Sequence, residues 1–443
     1  MNRNALSLSA LVILLLMSSI GLPAATAEEV QYFPIFVFRT GPFAPSGIPS
    51  ANASRDFAIL INKRDGGING VKLVYEECET QYNTKLGIEC YEKLKGKGTT
   101  GATIINPAST GLTYQLIPKS AVDKIPIMTM GYGRTAAADG RVFKWVFNFP
   151  TTYWSQASAF IRYVGREEGG LDKLANKSIA LVYHNSAYGK EPIPVLEALS
   201  EKYGYTLRLI AVDHPGQEQK AAWLQVRRHR PDWVFLWGFG VMNQVAIKEA
   251  IANAFPMDRM LGVWWSGTES DVVPAGDDAI GYKAGTFHAP GSDFPLFHDI
   301  VKYVYDGDLE EAKRNHWGEI LYNRTILNSV YGVEAVRTAM ARWGNKAMTG
   351  EQVRWGLENL NVTEQRLAEL GLKGFARGLK ISCEDHESSG SVIIQQWNGS
   401  EWKLITDWIE PMRDVVRPMI EKAAAQYAKE NNITPRDCAK AEG

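Results

Sequence analysis

Short runs of apolar, β-branched and aromatic residues alternate along this chain with longer segments whose apolar residues recur every three or four positions. Residues 30–39, 71–77, 102–106 and 125–130 are of the first kind; residues 49–63, 84–94 and 110–124 are of the second. The spacing predicts strands and helices in strict alternation. Such units imply a parallel sheet with helices on both faces. Between the first helix and the second strand, Asp65-Gly66-Gly67-Ile68-Asn69-Gly70 is a tight turn, where glycine tolerates positive φ.

Around residues 148–152 the pattern restarts. A helix is predicted over 154–167. Strands follow at 178–183, 206–212, 233–237 and 260–264, with helices at 192–203, 221–229 and 241–254 between them. This is a second doubly wound unit. Residues 282–287 read as a strand crossing back to the first unit, with helices at 294–305, 326–343 and 351–360 beyond it. A two-stranded piece, 391–397 and 402–405, precedes an amphipathic tail helix over 412–427. The repeat is architectural rather than one of sequence. The expected division is a first lobe of 28–149 and 287–388. The second lobe is 150–286 and 389–443, with the helical tail.

Residues 1–27 stand apart. Arg3 supplies positive charge, residues 5–22 are apolar, and Ala25-Thr26-Ala27 is a small-x-small cleavage site. This is a secretory signal peptide cut after Ala27. It is short for a membrane span and no stop-transfer pattern follows; an uncleaved anchor is the alternative. No cysteine stands at the cleavage point, so a lipid anchor is not expected. The mature protein is expected to be soluble and periplasmic.

Export changes the reading of the four cysteines, Cys78, Cys90, Cys383 and Cys438. An even number in an oxidising compartment suggests disulfides. Cys78 ends a strand-like run and Cys90 lies in the next helix, so that close pair is expected, leaving Cys383 with Cys438 to staple the tail. Metal binding is the alternative, but no Cys-x-x-Cys or His-x-x-x-His spacing accompanies them. With 48 Lys and Arg against 49 Asp and Glu, the charge is balanced. That argues against nucleic acid as a partner.

In open parallel sheets, ligands bind beyond the carboxyl ends of the strands. Those ends carry residues 106–110, Tyr132, Tyr188, Phe239 and Glu269. The stretch 101–111, Gly-Ala-Thr-Ile-Ile-Asn-Pro-Ala-Ser-Thr-Gly, is a strand broken by Asn106-Pro107 that turns into a helix. Ser109 and Thr110 sit where the N-cap belongs, so hydroxyls, free amides and a helix dipole suit a carboxylate. A bare capped turn is the competing reading. Tyr132, Tyr188 and Phe239 offer flat aromatic surface, and 13 Trp and 18 Tyr make an aromatic-lined pocket a reasonable expectation. Of the adjacent Trp264 and Trp265, one points inward and the other is free to line a site. Glu269 offers a carboxylate for a cation. No catalytic set assembles. There is no Gly-x-Ser-x-Gly elbow and no lysine-bearing phosphate loop. Gly131-Tyr132-Gly133 lacks the third glycine of a dinucleotide fingerprint, and His184 at a strand end reads as a loop histidine.

These residues together resemble the branched-chain amino acid type of periplasmic substrate-binding protein of ABC importers, the type I periplasmic binding proteins. Phe38-Arg39-Thr40-Gly41-Pro42 is similar to the family's opening strand and loop. Residues 61–70, Ile-Asn-Lys-Arg-Asp-Gly-Gly-Ile-Asn-Gly, match its Ile-Asn-x-x-Gly-Gly-Ile-x-Gly pattern with one extra residue. Cys78 lies where members carry the first cysteine of a disulfide. Tyr188-Gly189 matches the Tyr-Gly after the second lobe's first strand, and Glu269 resembles the glutamate of a Gly-x-Glu.

The resemblance implies two Rossmann-like lobes joined by a three-segment hinge, closing on a ligand and docking on a membrane permease. By position it places the ligand carboxylate on Ser109 and Thr110, with Ala108 also among the ligand-binding residues and Tyr132 in place of a small-residue stretch that usually helps there. Tyr188 and Phe239 would pack on the ligand, and Glu269 would meet an α-amino group. The sequence departs from the family where Asn106-Pro107-Ala108 replaces serines and where Tyr132 is large. Ser270 and Asp271 also leave open which acid faces the cleft. The expected ligand is therefore an amino acid or an aromatic or hydrophobic acid. No cofactor is expected, the protein is read as a monomeric binder rather than an enzyme, and the rivals are a periplasmic sensor and an exported hydrolase. A sensor would continue into a transmembrane helix, which this chain does not show before Gly443.

Overall fold

The computed structural model describes residues 29–440; the expected signal segment, 1–27, lies outside them. In the first lobe, β1 (Val30–Val37) pairs in parallel with β2 (Lys72–Glu79), in register from Val30 opposite Lys72 to Val37 opposite Glu79. Between β1 and β2 runs the long helix α1 (Ala44–Asp65), which ends at Gly66 with φ +73. That left-handed cap is open to glycine without steric cost. Helix α2 (Thr84–Leu94) is capped by Asn83, whose side chain accepts from the Lys85 and Leu86 amides.

The third expected strand is reduced to two isolated bridges, Tyr32 with Ala102 and Ile105 with Ile127. Pro107 and the turn that follows stop the ladder almost as it forms. Helix α3 (Thr110–Asp123) comes next, then β3 (Ile127–Met128) and β4 (Val146–Phe147), paired in parallel. The expected strand over 125–130 thus contracts to two residues. The bridges give the lobe an order of β2, β1, residues 102–105, β3, β4.

After α4 (Tyr153–Glu167) the second lobe is more regular. Its strands are β5 (Ser178–His184), β6 (Thr206–Val212), β7 (Trp233–Trp237), β8 (Met260–Gly262) and β9 (Lys283–Thr286). They alternate with helices α5 (Ile193–Tyr203), α6 (Lys220–His229) and α7 (Val241–Ala252). The chain returns to the first lobe for α8 (Pro295–Val304), α9 (Ile320–Trp343) and α10 (Gly350–Glu358). It then rejoins the second sheet as the hairpin β10 (Ile393–Trp397) and β11 (Trp402–Leu404). The sheet order is β11-β10-β9-β8-β7-β5-β6, parallel except for that antiparallel hairpin edge. Strand β7, and β5 from Ile179 on, are buried on both faces, as predominantly apolar runs in a covered parallel sheet must be.

Two of the crossing segments run side by side at the hinge. The Thr151 hydroxyl donates to the Gly390 carbonyl at 2.8 Å, the Gly390 amide donates to the Pro150 carbonyl at 3.2 Å, and the Thr152 amide donates to Glu387 Oε1 at 2.7 Å. This is the type I periplasmic binding protein fold.

Both disulfides form in the expected pairing, Cys78 with Cys90 and Cys383 with Cys438. The tail helix α11 (Arg413–Glu430) starts against α4 and ends on the first lobe. There the Tyr427 ring stacks on Phe143 at 4.6 Å, and Ala424 and Ala428 join the first-lobe core. The tail therefore straddles both lobes, where the sequence pattern suggested an appendage of the second. Among the described residues, no helix is long and apolar enough to cross a membrane.

Candidate functional site: the cleft between the lobes

Ser109 holds an extended backbone before α3, and its hydroxyl accepts from the Leu112 amide at 3.4 Å. The first amides of α3 have no intrahelical acceptor, as at any helix start. Ala108, at φ +52, turns the chain into this cap. Its amide donates to the Tyr132 hydroxyl at 2.7 Å, and that hydroxyl donates in turn to Asn106 Oδ1. Thr110 Oγ1 accepts from the Gly133 amide at 3.3 Å. Tyr132 lies between Gly131 and Gly133, both at positive φ. The loop and the Tyr132 turn are therefore tied together before any ligand arrives.

The second lobe presents the opposite wall. Tyr188 donates its hydroxyl to the Gly238 carbonyl at 2.8 Å and turns its ring to the cleft. The Phe239 ring stacks on Phe43 at 5.4 Å and meets Tyr82 and Trp265 at 4.9 Å each. Trp265 Nε1 donates to the Tyr153 hydroxyl at 2.9 Å. Tyr82, Tyr132, Tyr153, Tyr188, Phe239 and Trp265 thus surround Ala108, Ser109 and Thr110. Burial holds the Tyr132, Tyr153 and Tyr188 hydroxyls well above the usual phenol range, so they are neutral donors at any physiological pH.

The lobes are shut on each other in this conformation. Glu191 of the second lobe accepts from the Tyr114 hydroxyl and, at 3.1 Å, from the Thr135 amide of the first. Trp264 Nε1 and Gln156 Nε2 both donate to the Gly131 carbonyl at 2.9 Å. Burial pushes the Glu191 carboxyl up, against the pull of Thr135 and Tyr114.

Six of the expected ligand residues, Ala108, Ser109, Thr110, Tyr132, Tyr188 and Phe239, come together at this cleft. Glu269 does not line it. Its Oε2 accepts from the Ile320 amide at 3.0 Å, at the first turn of α9. Burial raises its pKa to about 7. Asp271 is tied to the Thr268 amide and to Asn243 Nδ2, both at 3.0 Å, and is likewise raised to about 7 by burial. Both acids serve local structure here. His184 is buried, bonded through Nδ1 to Ser186 Oγ at 2.8 Å, and held down at about 4 by burial and by His214.

Tyr82 and Tyr153 are the cleft residues that the sequence reading passed over. Tyr82 follows the carboxyl end of β2, the same rule that singled out the others; Tyr153 opens the helix beside Trp154. Of the tryptophan pair, Trp264 turns into the hinge and Trp265 faces the cleft, with ring centres 3.6 Å apart.

Arg324 on α9 is the remaining unusual group. It is buried, with Nη1 on the Trp264 carbonyl at 2.5 Å, Nη2 on the Thr286 hydroxyl at 3.2 Å, and its guanidinium 4.4 Å from the Trp264 ring centre. Burial lowers its pKa to about 9 despite the nearby Glu269 and Asp271.

Residues 32–401 match the family described as periplasmic binding protein. The chain belongs to that family. It is 43% identical to a solved structure described as an ABC transporter permease from the Pseudomonas fluorescens group. That match covers 93% of this chain and 100% of the other, with a TM-score of 0.85. The fold is shared with a branched-chain amino acid ABC transporter protein from Thermus thermophilus with bound valine, at 21% identity and a TM-score of 0.71, covering 88% and 99%. It is shared also with an ABC transporter solute-binding protein from R. palustris in complex with benzoate, at 14% identity and a TM-score of 0.65, covering 86% and 97%. All three are described as ABC transporter proteins, the R. palustris one as a solute-binding protein. No curated protein matches the chain.

Proposed function

We propose that this protein is an exported, periplasmic solute-binding protein, monomeric, with its signal peptide cut after Ala27. It captures a small carboxylate-bearing ligand by hinge closure and delivers it to an ABC import permease. The carrying observation is the capped start of α3, where Ser109, Thr110 and the helix amides face an aromatic wall built by the opposite lobe. A carboxylate suits that helix end through hydrogen bonds and the dipole. Tyr132, Tyr188 and Phe239 pack on the ligand's body. Ligand contacts made with both lobes favour the closed state, and only that difference in affinity drives closure.

An aromatic or hydrophobic acid fits better than an amino acid. Glu269, the natural partner of an α-amino group, is engaged by the Ile320 amide, and the cleft walls are rings. The relatives bound to valine and to benzoate span both classes. A thermal-shift screen against amino acids, aromatic acids, aliphatic acids and their amides tests the reading. A ligand at about 100 times its Kd adds roughly 2.7 kcal/mol. The double variant Ser109→Ala with Thr110→Ala is expected to weaken binding of the responding acid by about 2–4 kcal/mol, from the hydrogen bonds lost. Unchanged affinity in that variant would remove the carboxylate from this seat.

A further inference from the structure

The hydroxyls around the start of α3 differ in where their protons go. Two are committed inside the protein. Tyr132 donates to Asn106 Oδ1, and Tyr188 donates to the Gly238 carbonyl at 2.8 Å. Four others border the same cleft, on Tyr82, Ser109, Thr110 and Tyr153. Three of these already accept from an N–H. Ser109 Oγ accepts from the Leu112 amide at 3.4 Å, Thr110 Oγ1 from the Gly133 amide at 3.3 Å, and the Tyr153 hydroxyl from Trp265 Nε1 at 2.9 Å. What each has left to offer is its O–H proton.

These protons find only one another. The Tyr82 hydroxyl meets the Ser109 hydroxyl, and the Tyr153 hydroxyl meets that of Thr110. Among the described residues, none of the four donates to a carbonyl or a carboxylate. Two paired hydroxyls make one hydrogen bond between them, so each pair leaves one proton without an acceptor. Thr110 and Tyr153 are buried, at 2% and 1% exposed, where such a proton costs free energy. A group that only accepts, set between the pairs, takes up all of these protons. A carboxylate, with its two oxygens and about four lone-pair sites, is that group. Its charge makes each bond stronger than the hydroxyl–hydroxyl bond it replaces. The described residues lining this cleft include no Asp, Glu, Lys or Arg, so a ligand ammonium meets no counter-charge there.

Both tyrosines are set in place from outside α3. Gln81 and Tyr82 follow β2 at φ +52 and +58. Two successive non-glycine residues in the left-handed region are uncommon, and such backbone persists where its surroundings over-determine it, as at ligand sites. Here the Cys78–Cys90 disulfide closes the loop that carries the turn. The Tyr82 ring packs on Phe43 at 4.4 Å and on Phe239 of the second lobe at 4.9 Å. Tyr153 opens α4. Its ring packs 5.4 Å from Tyr188 and 5.8 Å from Trp237, both in the second lobe, so it approaches Thr110 from the opposite side of the cleft.

We propose that Tyr82 and Tyr153 are carboxylate-binding residues, one from each lobe, whose hydroxyls donate to the ligand alongside Ser109 and Thr110. This rests on the solute-binding reading above and narrows its ligand to an acid without an ammonium group. Opening the hinge draws Tyr153 away from Thr110 and lifts Phe239 from Tyr82, which uncovers the hydroxyls. The carboxylate parts both pairs. On closure it receives bonds from the two lobes at once, so the bond from Tyr153 is one that only the closed state makes. Trp265 is a positioning residue: by donating to the Tyr153 oxygen it turns that hydroxyl's proton toward the ligand.

Calorimetric titration of the mature protein with benzoate, phenylacetate, 3-phenylpropionate and hexanoate, each against its own primary amide, tests this. The acid that binds tightest should exceed its amide by about tenfold or more, because the amide NH₂ brings protons where the seat needs an acceptor. Tyr82→Phe and Tyr153→Phe should each weaken that acid about tenfold and the amide by less than about threefold, so the preference falls. Lost packing would weaken acid and amide alike. Either tyrosine variant carries the test should the other fold poorly, with the melting temperature of the free protein as the check. Suppose Ser109→Ala with Thr110→Ala weakens the acid while both tyrosine variants leave the preference unchanged. The tyrosine role is then overturned and the carboxylate seat stands. Phenylalanine binding as tightly as 3-phenylpropionate would overturn the exclusion of the ammonium group. If no acid of the panel binds, the seat and the tyrosine role fall together.

Discussion

The two lobes share one architecture and differ in how they are filled. The second lobe is built on a continuous seven-stranded sheet, and Ile179, Leu181, Phe235 and Trp237 on its inner strands are 0% exposed. The parallel sheet of the first lobe is held by one long strand pair, two isolated bridges and a two-residue pair. Space remains between its sheet and α1 and α9. Glycines make the same contrast. In the second lobe a Cβ on Gly262 would lie 2.2 Å from the Tyr282 hydroxyl and 2.6 Å from the Ser266 carbonyl, so the glycine is required by packing. In the first lobe Gly332 has room to spare. In the proposed closure the fully packed lobe is the rigid jaw, and the looser lobe carries both the helix start that suits an anion and the space behind it.

The strongest way to break this contrast is to empty each lobe. Trp237→Ala should destabilise the protein by about 3–5 kcal/mol, as for a filled aromatic core site. Phe33→Ala, beside the existing cavity, should cost less than about 2 kcal/mol because part of its surface is already unpacked. Equal losses in urea unfolding would erase the distinction. The tail staple ranks close behind. Replacing Cys383 and Cys438 by serine opens a separation of 55 residues, against 12 for Cys78 and Cys90. In the chain-entropy view the costs are about 4 and about 3 kcal/mol. If the short loop mattered more to the melting temperature, the tail's docking on the first lobe would need no staple.

A pH comparison sharpens the picture of the contact between Glu269 and α9. Its carboxyl is raised to about 7 by burial, so the folded protein keeps a proton that the unfolded chain releases above about pH 4.5. That stabilisation is fully present below the unfolded pKa and is lost as pH rises through 7. Glu269→Gln keeps an acceptor for the Ile320 amide without the titration. The variant should therefore gain on wild type between pH 5 and 8, by on the order of 3 kcal/mol at the upper end. Comparing the two proteins cancels His184, whose lowered pKa works in the opposite direction. A difference independent of pH would mean that this carboxyl is not buried as described. The smallest effect is Gly332→Ala, which should stabilise by up to about 1 kcal/mol through helix propensity, whereas Gly262→Ala should destabilise. Chemical denaturation of both resolves the signs.

Much of this was legible in the sequence, because its causes are local. Periodicity over 178–252 marked the second lobe's strands and helices within a residue or two, since long runs such as Trp233-Val-Phe-Leu-Trp237 have only one stable environment. Ser109 announced itself as a cap by its chemistry and by the proline before it. An even set of cysteines and their place in the alternation gave the right pairing. The six cleft residues that assembled all follow from one rule about strand ends.

What the tertiary structure alone decided are matters of distance across the chain. Whether Glu269 faces a ligand or the Ile320 amide depends on where α9 begins, 51 residues later. That Tyr82 and Tyr153 join Tyr132, or that Tyr427 leaves the second lobe for Phe143, depends on how the lobes close and where the tail docks. The cavity is the clearest case. Phe33, Ile104 and Gly332 read singly as strand, strand and helix, and only the packing of α9 over the sheet turns them into the walls of one space. Local pattern determines which surfaces seek burial; it carries no information about the gaps left when those surfaces meet.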